Sequence, residues 1–174
     1  MKYFVKFFVI TFCLLININA FGNEPIVYIN MNKILNESKA GLSIKNELEK
    51  IHKTNLDIFK KKEEQFKIEE QKILSKRNLM KKEEFEIKIN DLRENFKKYQ
   101  EEKKNKIQEI SNKRNKGTEN ILKNLQEILT KYSNDNNISI ILDKRNLIIG
   151  KSDLDITKEV MIKLDQKLPS VKIN

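Results

Sequence analysis

The chain has 174 residues, of which 35 are Lys or Arg and 25 are Asp or Glu, giving a net charge of +10. Charged side chains make up 34% of the sequence, which is too many for a compact globule of this length to bury. Two prolines and four glycines allow few sharp reversals, so a sandwich or barrel of many short strands is excluded and long helices are expected. One histidine, one cysteine and the lack of a glycine-rich loop argue against an enzyme and predict no cofactor.

Residues 1–22 have the pattern of a secretory signal peptide. Lys2 and Lys6 form a short positive region, an apolar run follows at 7–16, and small residues lie in the segment 20–22. The run is short for a membrane span, which favours a cleaved signal over the alternative of an uncleaved anchor. Cleavage after residue 20 and cleavage after residue 22 both fit the pattern, so the exact site stays open.

Cleavage would leave an exported protein without cysteine, because Cys13 lies inside the predicted signal peptide. Phe12 stands before this cysteine, where a lipoprotein would need a small residue. The loss of two lysines and no acidic residue would leave 33 basic and 25 acidic side chains, a net charge of +8. We therefore expect a basic protein in the periplasm or a similar soluble envelope space.

Between Ser38 and Tyr132 the sequence is rich in Lys, Glu, Leu, Ile and Gln, which predicts helix. One continuous helix over this range would be roughly 140 Å long. Two series of apolar residues run through it, and they are out of phase where they meet between Met80 and Ile89. A continuous coiled coil would keep one phase, so we expect the chain to reverse near Leu79 and form an antiparallel helical hairpin.

A register in which paired residue numbers sum to 158 brings five apolar pairs together across this hairpin. The pairs are Ile73–Phe85, Phe66–Leu92, Phe59–Tyr99, Ile51–Ile107 and Leu48–Ile110. The seam should be weak in its middle and distal parts, because Lys62 and Glu69 occupy seam positions and Asn55 would face Lys103. Such an arm could bend and splay at low cost.

Strand signals flank the helical hairpin. The β-branched segment 26–31 predicts one strand, and the segments 138–143 and 146–150 predict a β-hairpin around a Lys-Arg turn. A last helix is expected over 158–167, opened by Thr157. The pattern predicts an α+β fold with a small β body and a long helical arm. Three strands bury little by themselves and leave edges exposed, so self-association is expected.

Catalytic and metal-binding signals are weak. His52 is the only histidine, and no Cys, Ser or carboxylate lies at a catalytic or metal spacing from it, so we interpret it as a solvated helix residue. Asp153 and Asp155 could suggest a metal loop, but turn formation and capping of the last helix explain them more simply.

Basic residues near the expected reversal are the candidate binding residues. No acidic residue lies between Gln71 and Lys82, and a second basic cluster covers 113–116. Lysine is common on solvated helix faces, so both clusters could also reflect composition alone. A positive tip would attract anionic partners, of which acidic polypeptides and lipid headgroups suit an exported protein better than nucleic acid. The candidate residues for such contacts are Lys72, Lys76, Arg77, Lys81 and Lys82.

Apolar side chains could add to this surface. The aromatic residues of the arm are predicted to lie on the seam, whereas Ile68, Leu74, Leu79 and Ile89 fall partly off it and are expected to be exposed. Exposed apolar groups on a flexible arm would offer an adaptable surface to unfolded chains.

Two segments carry a resemblance to a known family. The segment 26–38 is similar to the first strand and helix entry of the Skp/OmpH family of periplasmic chaperones. The segment 138–156, with its Ile-Ile-Leu-Asp and Ser-Asp-Leu-Asp-Ile-Thr stretches, is similar to that family's second half. Together with the export signal, the resemblance extends over nearly all of residues 23–168, and it rests on arrangement rather than on one diagnostic motif.

The resemblance implies a homotrimer whose strands form a β-barrel body and whose three hairpins surround a cavity. Residues 23–45 and 118–174 would form the body, and residues 46–117 the tentacle. Proteins of this family hold unfolded outer-membrane proteins in the cavity without ATP, and basic tentacles would suit acidic clients. Anionic lipid or lipopolysaccharide would be a further partner, although no local motif places the family's lipopolysaccharide-binding residues here. The alternatives are a structural coiled-coil spacer of the envelope and, against the composition, an envelope enzyme.

Overall fold

The computed structural model describes residues 25–173, so the predicted signal peptide lies outside the described residues. In chain order the elements are β1 (Ile26–Ile29), α1 (Met31–Glu37), α2 (Lys39–Ser75), α3 (Lys82–Asp135), β2 (Ile140–Asp143) and α4 (Thr157–Lys167). Short 3-10 turns lie at Arg77–Leu79, Lys144–Asn146 and Ser152–Leu154. The architecture is mostly helical with a small sheet.

The predicted helical hairpin is confirmed, and it reverses at residues 76–81, around the predicted Leu79. The 37 residues of α2 span roughly 55 Å. Beyond Ser75 the Lys76 N–H donates to the Ile73 carbonyl at 3.2 Å, and the Leu79 N–H donates to the Lys76 carbonyl at 2.9 Å. The chain thus turns through two consecutive tight turns, without glycine or proline, before α3 begins.

The hydrophobic core lies at the end of the hairpin away from the reversal. It combines buried side chains from β1, α1, the first part of α2, the last part of α3, α4 and the segment that follows α4. Its members are Val27, Ile29, Ile34, Ala40, Ile44, Leu48, Ile121, Leu125, Ile128, Ile156, Val160, Leu164, Val171 and Ile173. Because both halves of the chain contribute, this core fixes the arm to the body.

The junction between α1 and α2 depends on a close approach of two backbone segments. The buried Ser38 hydroxyl accepts the Gly41 N–H at 3.1 Å and caps the start of α2. A Cβ atom at position 41 would lie 2.1 Å from the Leu35 carbonyl oxygen. Glycine is therefore required here by space.

The sheet consists of two parallel strands. Ile26 pairs with Ile140, and the register continues along both strands to Ile29 and Asp143. The other edge of β1 is occupied by an isolated bridge from Tyr28 to residue 155. Within residues 25–173, the outer edge of β2 has no strand partner.

The predicted β-hairpin over 138–150 is wrong. Residues 140–143 do form a strand, but it pairs with β1, and residues 146–150 are not extended into a second strand. The Asp143 carboxylate accepts the Arg145 backbone N–H at 3.0 Å and pairs with the Arg145 guanidinium at 2.7 Å. This local bonding starts a 3-10 turn directly after β2, so the chain leaves the sheet instead of returning along it.

The first strand and the last helix lie where the sequence predicts them. β1 is two residues shorter than expected, because the Asn30 side chain accepts the Lys33 N–H at 3.0 Å and starts α1 at Met31. α4 begins at Thr157, whose N–H donates to the Asp155 carboxylate at 3.0 Å. Asp155 therefore acts at the start of a helix, as its spacing predicts.

Candidate functional site

Four aromatic side chains join α2 to α3 midway along the arm. The rings of Phe59 and Tyr99 lie 6.2 Å apart and those of Phe66 and Phe96 lie 5.4 Å apart, both edge to face. Tyr99 also contacts Phe66 at 5.5 Å and Phe96 at 5.9 Å. Tyr99 is only 3% exposed, although the arm is just two helices thick. We call these four residues the aromatic cluster.

Ion pairs cross the seam beside the aromatic cluster. Lys62 pairs with Glu102 at 2.6 Å, and Lys103 pairs with Glu63 at 2.7 Å. The Tyr99 hydroxyl donates to the same Glu63 carboxylate at 2.7 Å. Two of the polar seam residues that the sequence indicates, Lys62 and Lys103, are therefore engaged in ion pairs, each of which contributes little because it is partly exposed.

These contacts shift two pKa values in opposite directions. Burial of the ring, followed by the hydrogen bond to the ionised Glu63, raises the pKa of Tyr99 to about 12. The hydrogen bonds from Lys103 and then from Tyr99 lower the pKa of Glu63. The folded arm therefore favours a neutral Tyr99 beside an ionised Glu63.

The predicted pairing is confirmed for Phe59 with Tyr99 and differs for Ile107. Phe59 faces Tyr99 as expected, and the ring of Phe66, predicted to face Leu92, contacts the rings of Phe96 and Tyr99. Ile107, expected to pack against the seam, is 59% exposed. The helices thus pack closely at the aromatic cluster and less closely towards the core.

An open cavity of about 830 Å³ lies between α2 and α3 near the core. Its walls include the predicted pair Leu48 and Ile110, together with Ile44 and Ile121. His52 lies at this cavity and is exposed. We call this incompletely filled part of the arm, residues 44–52 and 110–121, the root.

The five predicted cations all lie in residues 72–82, which we call the tip. Each of them is exposed: Lys72, Lys76, Arg77, Lys81 and Lys82. Lys72 and Lys76 lie at the C-terminal end of α2, where positive charge is favourable to the helix. The Arg77 guanidinium lies 5.6 Å from the centre of the Phe85 ring. The second basic cluster, 113–116, lies apart from the tip, at the root.

Lys81 and Lys82 stand at the opposite end of a helix, before and at the first residue of α3. Positive charge is unfavourable there, whereas Glu83 and Glu84 in the first turn are favourable. Lys81 makes no capping hydrogen bond through its side chain. Lys82 also pairs with Glu86 one turn along α3 at 3.9 Å. Contact of these two lysines with an anionic partner stays a prediction.

Apolar side chains are exposed along the same arm. Leu79 at the tip is 87% exposed, and Leu74 and Ile68 are about half exposed, as the sequence predicts. Ile89 is partly buried and differs from that prediction. Further exposed apolar residues on the hairpin are Leu42, Leu56, Ile58, Ile87, Phe96 and Ile107. The arm thus presents separated apolar groups among charged ones.

A second exposed apolar surface lies on the body. Ile148 and Ile149 follow β2 and extend almost completely into solvent. Ile26 and Ile140, paired at the start of the two strands, are each about half exposed. Exposed apolar groups beside an open strand edge are typical of a surface that another chain covers.

Within residues 25–173, no group of three His, Cys, Asp or Glu side chains is arranged to hold a metal ion. None of the helices in this part of the chain is both long enough and apolar enough to cross a membrane.

The fold defined by these elements is a small mixed body that carries one long helical hairpin. The chain belongs to the OmpH-like family of outer membrane proteins, because that family's model, "Outer membrane protein (OmpH-like)", matches residues 25–164. The resemblance to the Skp/OmpH family is thereby confirmed. The match ends before the segment 168–173 that follows α4.

A solved structure has the same fold. It is a candidate outer membrane chaperone (OmpH-like) from Caulobacter crescentus, with a TM-score of 0.81 and 14% sequence identity. The alignment covers 88% of this chain and 90% of that chain. No curated protein matches the chain.

Sequence reasoning missed two parts of the site. The first is the pair of ion bridges, which was detectable, since Lys62 with Glu102 and Glu63 with Lys103 are opposite charges 40 residues apart. The second is the segment after α4, whose Val171 and Ile173 enter the core. That segment is too short and too irregular for periodicity to indicate its burial.

Proposed function

We propose that the protein is an ATP-independent periplasmic holdase chaperone that binds unfolded outer-membrane β-barrel proteins and prevents their aggregation. The observation that carries this proposal is the arm, which projects from a small core and exposes apolar side chains among cations. Membership in the OmpH-like family and the fold shared with the Caulobacter crescentus protein support it.

Binding would be spread over many weak contacts. Exposed residues such as Leu56, Leu74 and Leu79 are separated by charged side chains, so each can cover a short apolar stretch of an unfolded chain. The excess of basic residues speeds the capture of acidic clients through long-range attraction. No single residue of the arm is then essential.

Three copies would form the working unit, with residues 23–45 and 118–174 in the body and residues 46–117 in each tentacle. The open edge of β2 and the exposed Ile148 and Ile149 support this assembly. A two-stranded sheet is marginal by itself, and pairing with another copy would extend it. Three arms around one axis would enclose the client.

The tip would make the first contact with anionic groups. The exposed Lys72, Lys76, Arg77, Lys81 and Lys82 are assigned to this step, with acidic client segments as their main partners. Anionic lipid headgroups or lipopolysaccharide present the same kind of charge and would be secondary partners. Nucleic acid is not expected as a partner of an exported protein.

The deciding experiment is an aggregation assay. An outer-membrane β-barrel protein is diluted from urea into buffer with a molar excess of the purified trimer, and light scattering is followed. We expect scattering to be suppressed without ATP, whereas an unrelated basic protein of similar net charge should leave it unchanged. Unchanged scattering with a trimer that is intact by sedimentation would favour the alternative, a structural coiled-coil protein of the envelope.

A further inference from the structure

The segment 168–173, which we call the strap, crosses the root of the arm and touches both of its helices. The Val171 N–H donates to the Ser43 hydroxyl of α2 at 2.9 Å. On the other helix, the Lys113 ammonium of α3 donates to the Ile173 carbonyl at 3.4 Å. Val171 and Ile173 are each 4% exposed, whereas Lys172 between them is exposed.

Gly117 shows how closely the three segments meet. A Cβ atom at this position of α3 would lie 2.8 Å from Cδ1 of Ile44 on α2 and 3.0 Å from Cγ2 of Ile173 on the strap. The glycine therefore lets α3 approach α2 and the strap at one point. α2, α3 and the strap therefore meet at Ile44, Gly117 and Ile173, which we call the strap joint.

This joint lies next to the open cavity between α2 and α3. The walls of this cavity of about 830 Å³ include the same Ile44, together with Leu48 and Ile110. Beyond the root, the next buried contact between the helices is Phe59 against Tyr99 in the aromatic cluster. The root is thus bounded by the strap joint at one end and by the aromatic cluster at the other.

Few hydrogen bonds attach the strap to the helices that it joins. It follows the end of α4 as an irregular segment that contains Pro169, and it takes part in no helix or strand. Within residues 25–173, the strap is attached to the arm by the two hydrogen bonds described above and by its two buried side chains, Val171 and Ile173. A segment with so few bonds can detach locally while the body stays folded.

We propose that the strap is a latch that sets how far the two arm helices separate at the root. When seated, it holds Ile44 and Gly117 together; when released, α2 and α3 open along the cavity with the aromatic cluster as the pivot. For a chaperone, this opening changes the space available to a client. That consequence rests on the proposed function, whereas the latch itself does not.

The test measures distances between spin labels in client-free protein. Cysteines replace the exposed Lys53 and Asn112 across the root, or the exposed Lys61 and Gln100 beside the aromatic cluster. In the exported form these would be the only cysteines, because Cys13, the one cysteine of the sequence, lies in the predicted signal peptide. Labelled chains are diluted with unlabelled chains, so that only distances within one chain are read.

The strap is released by V171S/I173S, and K172S is the matched control at the exposed position between them. In V171S/I173S we expect the root distances to become longer and broader, while the distances beside the aromatic cluster stay unchanged. K172S should match the wild type. Unchanged root distances in V171S/I173S, with fast amide exchange showing that the strap is free, would overturn the proposal.

A milder variant serves if V171S/I173S does not fold. Ser43→Ala removes one bond of the strap, and the bond from the same hydroxyl to the Ala40 carbonyl, and leaves every core side chain in place. Hydrogen exchange at Val171 and at the root amides of α2 and α3 should then accelerate together. Faster exchange at Val171 alone would contradict the latch. Neither measurement uses a client, so the two proposals are tested independently. A negative aggregation assay would not contradict the latch, and a negative latch experiment would not contradict the chaperone proposal.

Discussion

At the scale of single residues, Tyr99 joins the apolar and the ionic parts of the arm. Its ring packs between Phe59 and Phe66, and its hydroxyl bonds to the Glu63 carboxylate that Lys103 also binds. A phenylalanine would fill the same space, but it could not satisfy the carboxylate. The tyrosine therefore fixes the register in which α2 and α3 pack against each other.

Replacing Tyr99 by Phe should lower the free energy of unfolding by about 1 kcal/mol at neutral pH, the usual contribution of one hydrogen bond. The pKa of Tyr99 is raised from 10.0 to about 12 in the folded arm. The contribution of the neutral Tyr99 to the free energy of unfolding is therefore complete below pH 10 and is lost as the pH rises towards 12. Urea denaturation at fixed protein concentration measures both effects. If the wild type and Y99F lost stability in parallel over this range, Tyr99 would not be the group responsible.

At the scale of elements, the arm is fixed by few buried contacts and many exposed charges. Phe59 and Ile73 are the buried residues of α2 beyond the root, and Tyr99 is the buried residue of α3 between the tip and the root. Most side chains of both helices face solvent. The hairpin therefore gains its stability locally at the aromatic cluster, and the segments on either side of it can move more easily.

Phe59→Ala should destabilise the arm strongly, by about 3–5 kcal/mol, because it removes a buried ring. Phe96→Ala is the matched control, since Phe96 belongs to the same aromatic cluster but is 42% exposed, and its loss should cost clearly less. Hydrogen exchange in α2 and α3 beyond the root would report the loss of protection, with the core amides as the internal reference. Equal effects of the two substitutions would show that the aromatic cluster does not hold the seam.

At the scale of the whole molecule, charge and apolar surface are divided between the two ends. The tip carries five exposed cations and Leu79, and the body carries the open β2 edge with Ile148 and Ile149. This division would separate the surface proposed for clients from the surface proposed for other copies of the chain. The two surfaces can therefore be altered independently.

Changing all five tip cations to Gln should slow client capture at low salt and reduce the dependence of the capture rate on salt. The control removes five lysines of the proposed body that make no ion pair within the described chain: Lys39, Lys123, Lys151, Lys158 and Lys172. Stopped-flow fluorescence of a labelled unfolded client gives the rates. Equal rates for both variants would assign the effect to net charge and would reject the tip as the capture site.

If the chain forms the proposed trimer, the double substitution I148D/I149D should convert it to monomers, because charge would enter the surface proposed to be covered by another copy. Ile162→Asp on α4, where the side chain is 49% exposed, is the control and should leave assembly unchanged. Analytical ultracentrifugation distinguishes the two species. A trimer that persists in I148D/I149D would place the assembly surface elsewhere.

Much of this architecture could be predicted because it depends on local periodicity. The change of apolar phase between Met80 and Ile89 located the reversal of the hairpin, and Thr157 located the start of α4. The residues around Arg145 show the limit of such reasoning. Their β-branched neighbours predict a strand, but a side-chain bond from Asp143 turns the chain away.

The sequence by itself determined the excess of positive charge, the long helical hairpin and the basic tip, since composition and repeat length follow from neighbours along the chain. Only the tertiary structure decided that β2 pairs with β1, that Tyr99 meets Glu63, and that Val171 and Ile173 close the root. These contacts join residues 36 or more positions apart. Which residues meet in these contacts depends on packing and hydrogen bonding in the folded chain, and a local sequence pattern does not contain that information.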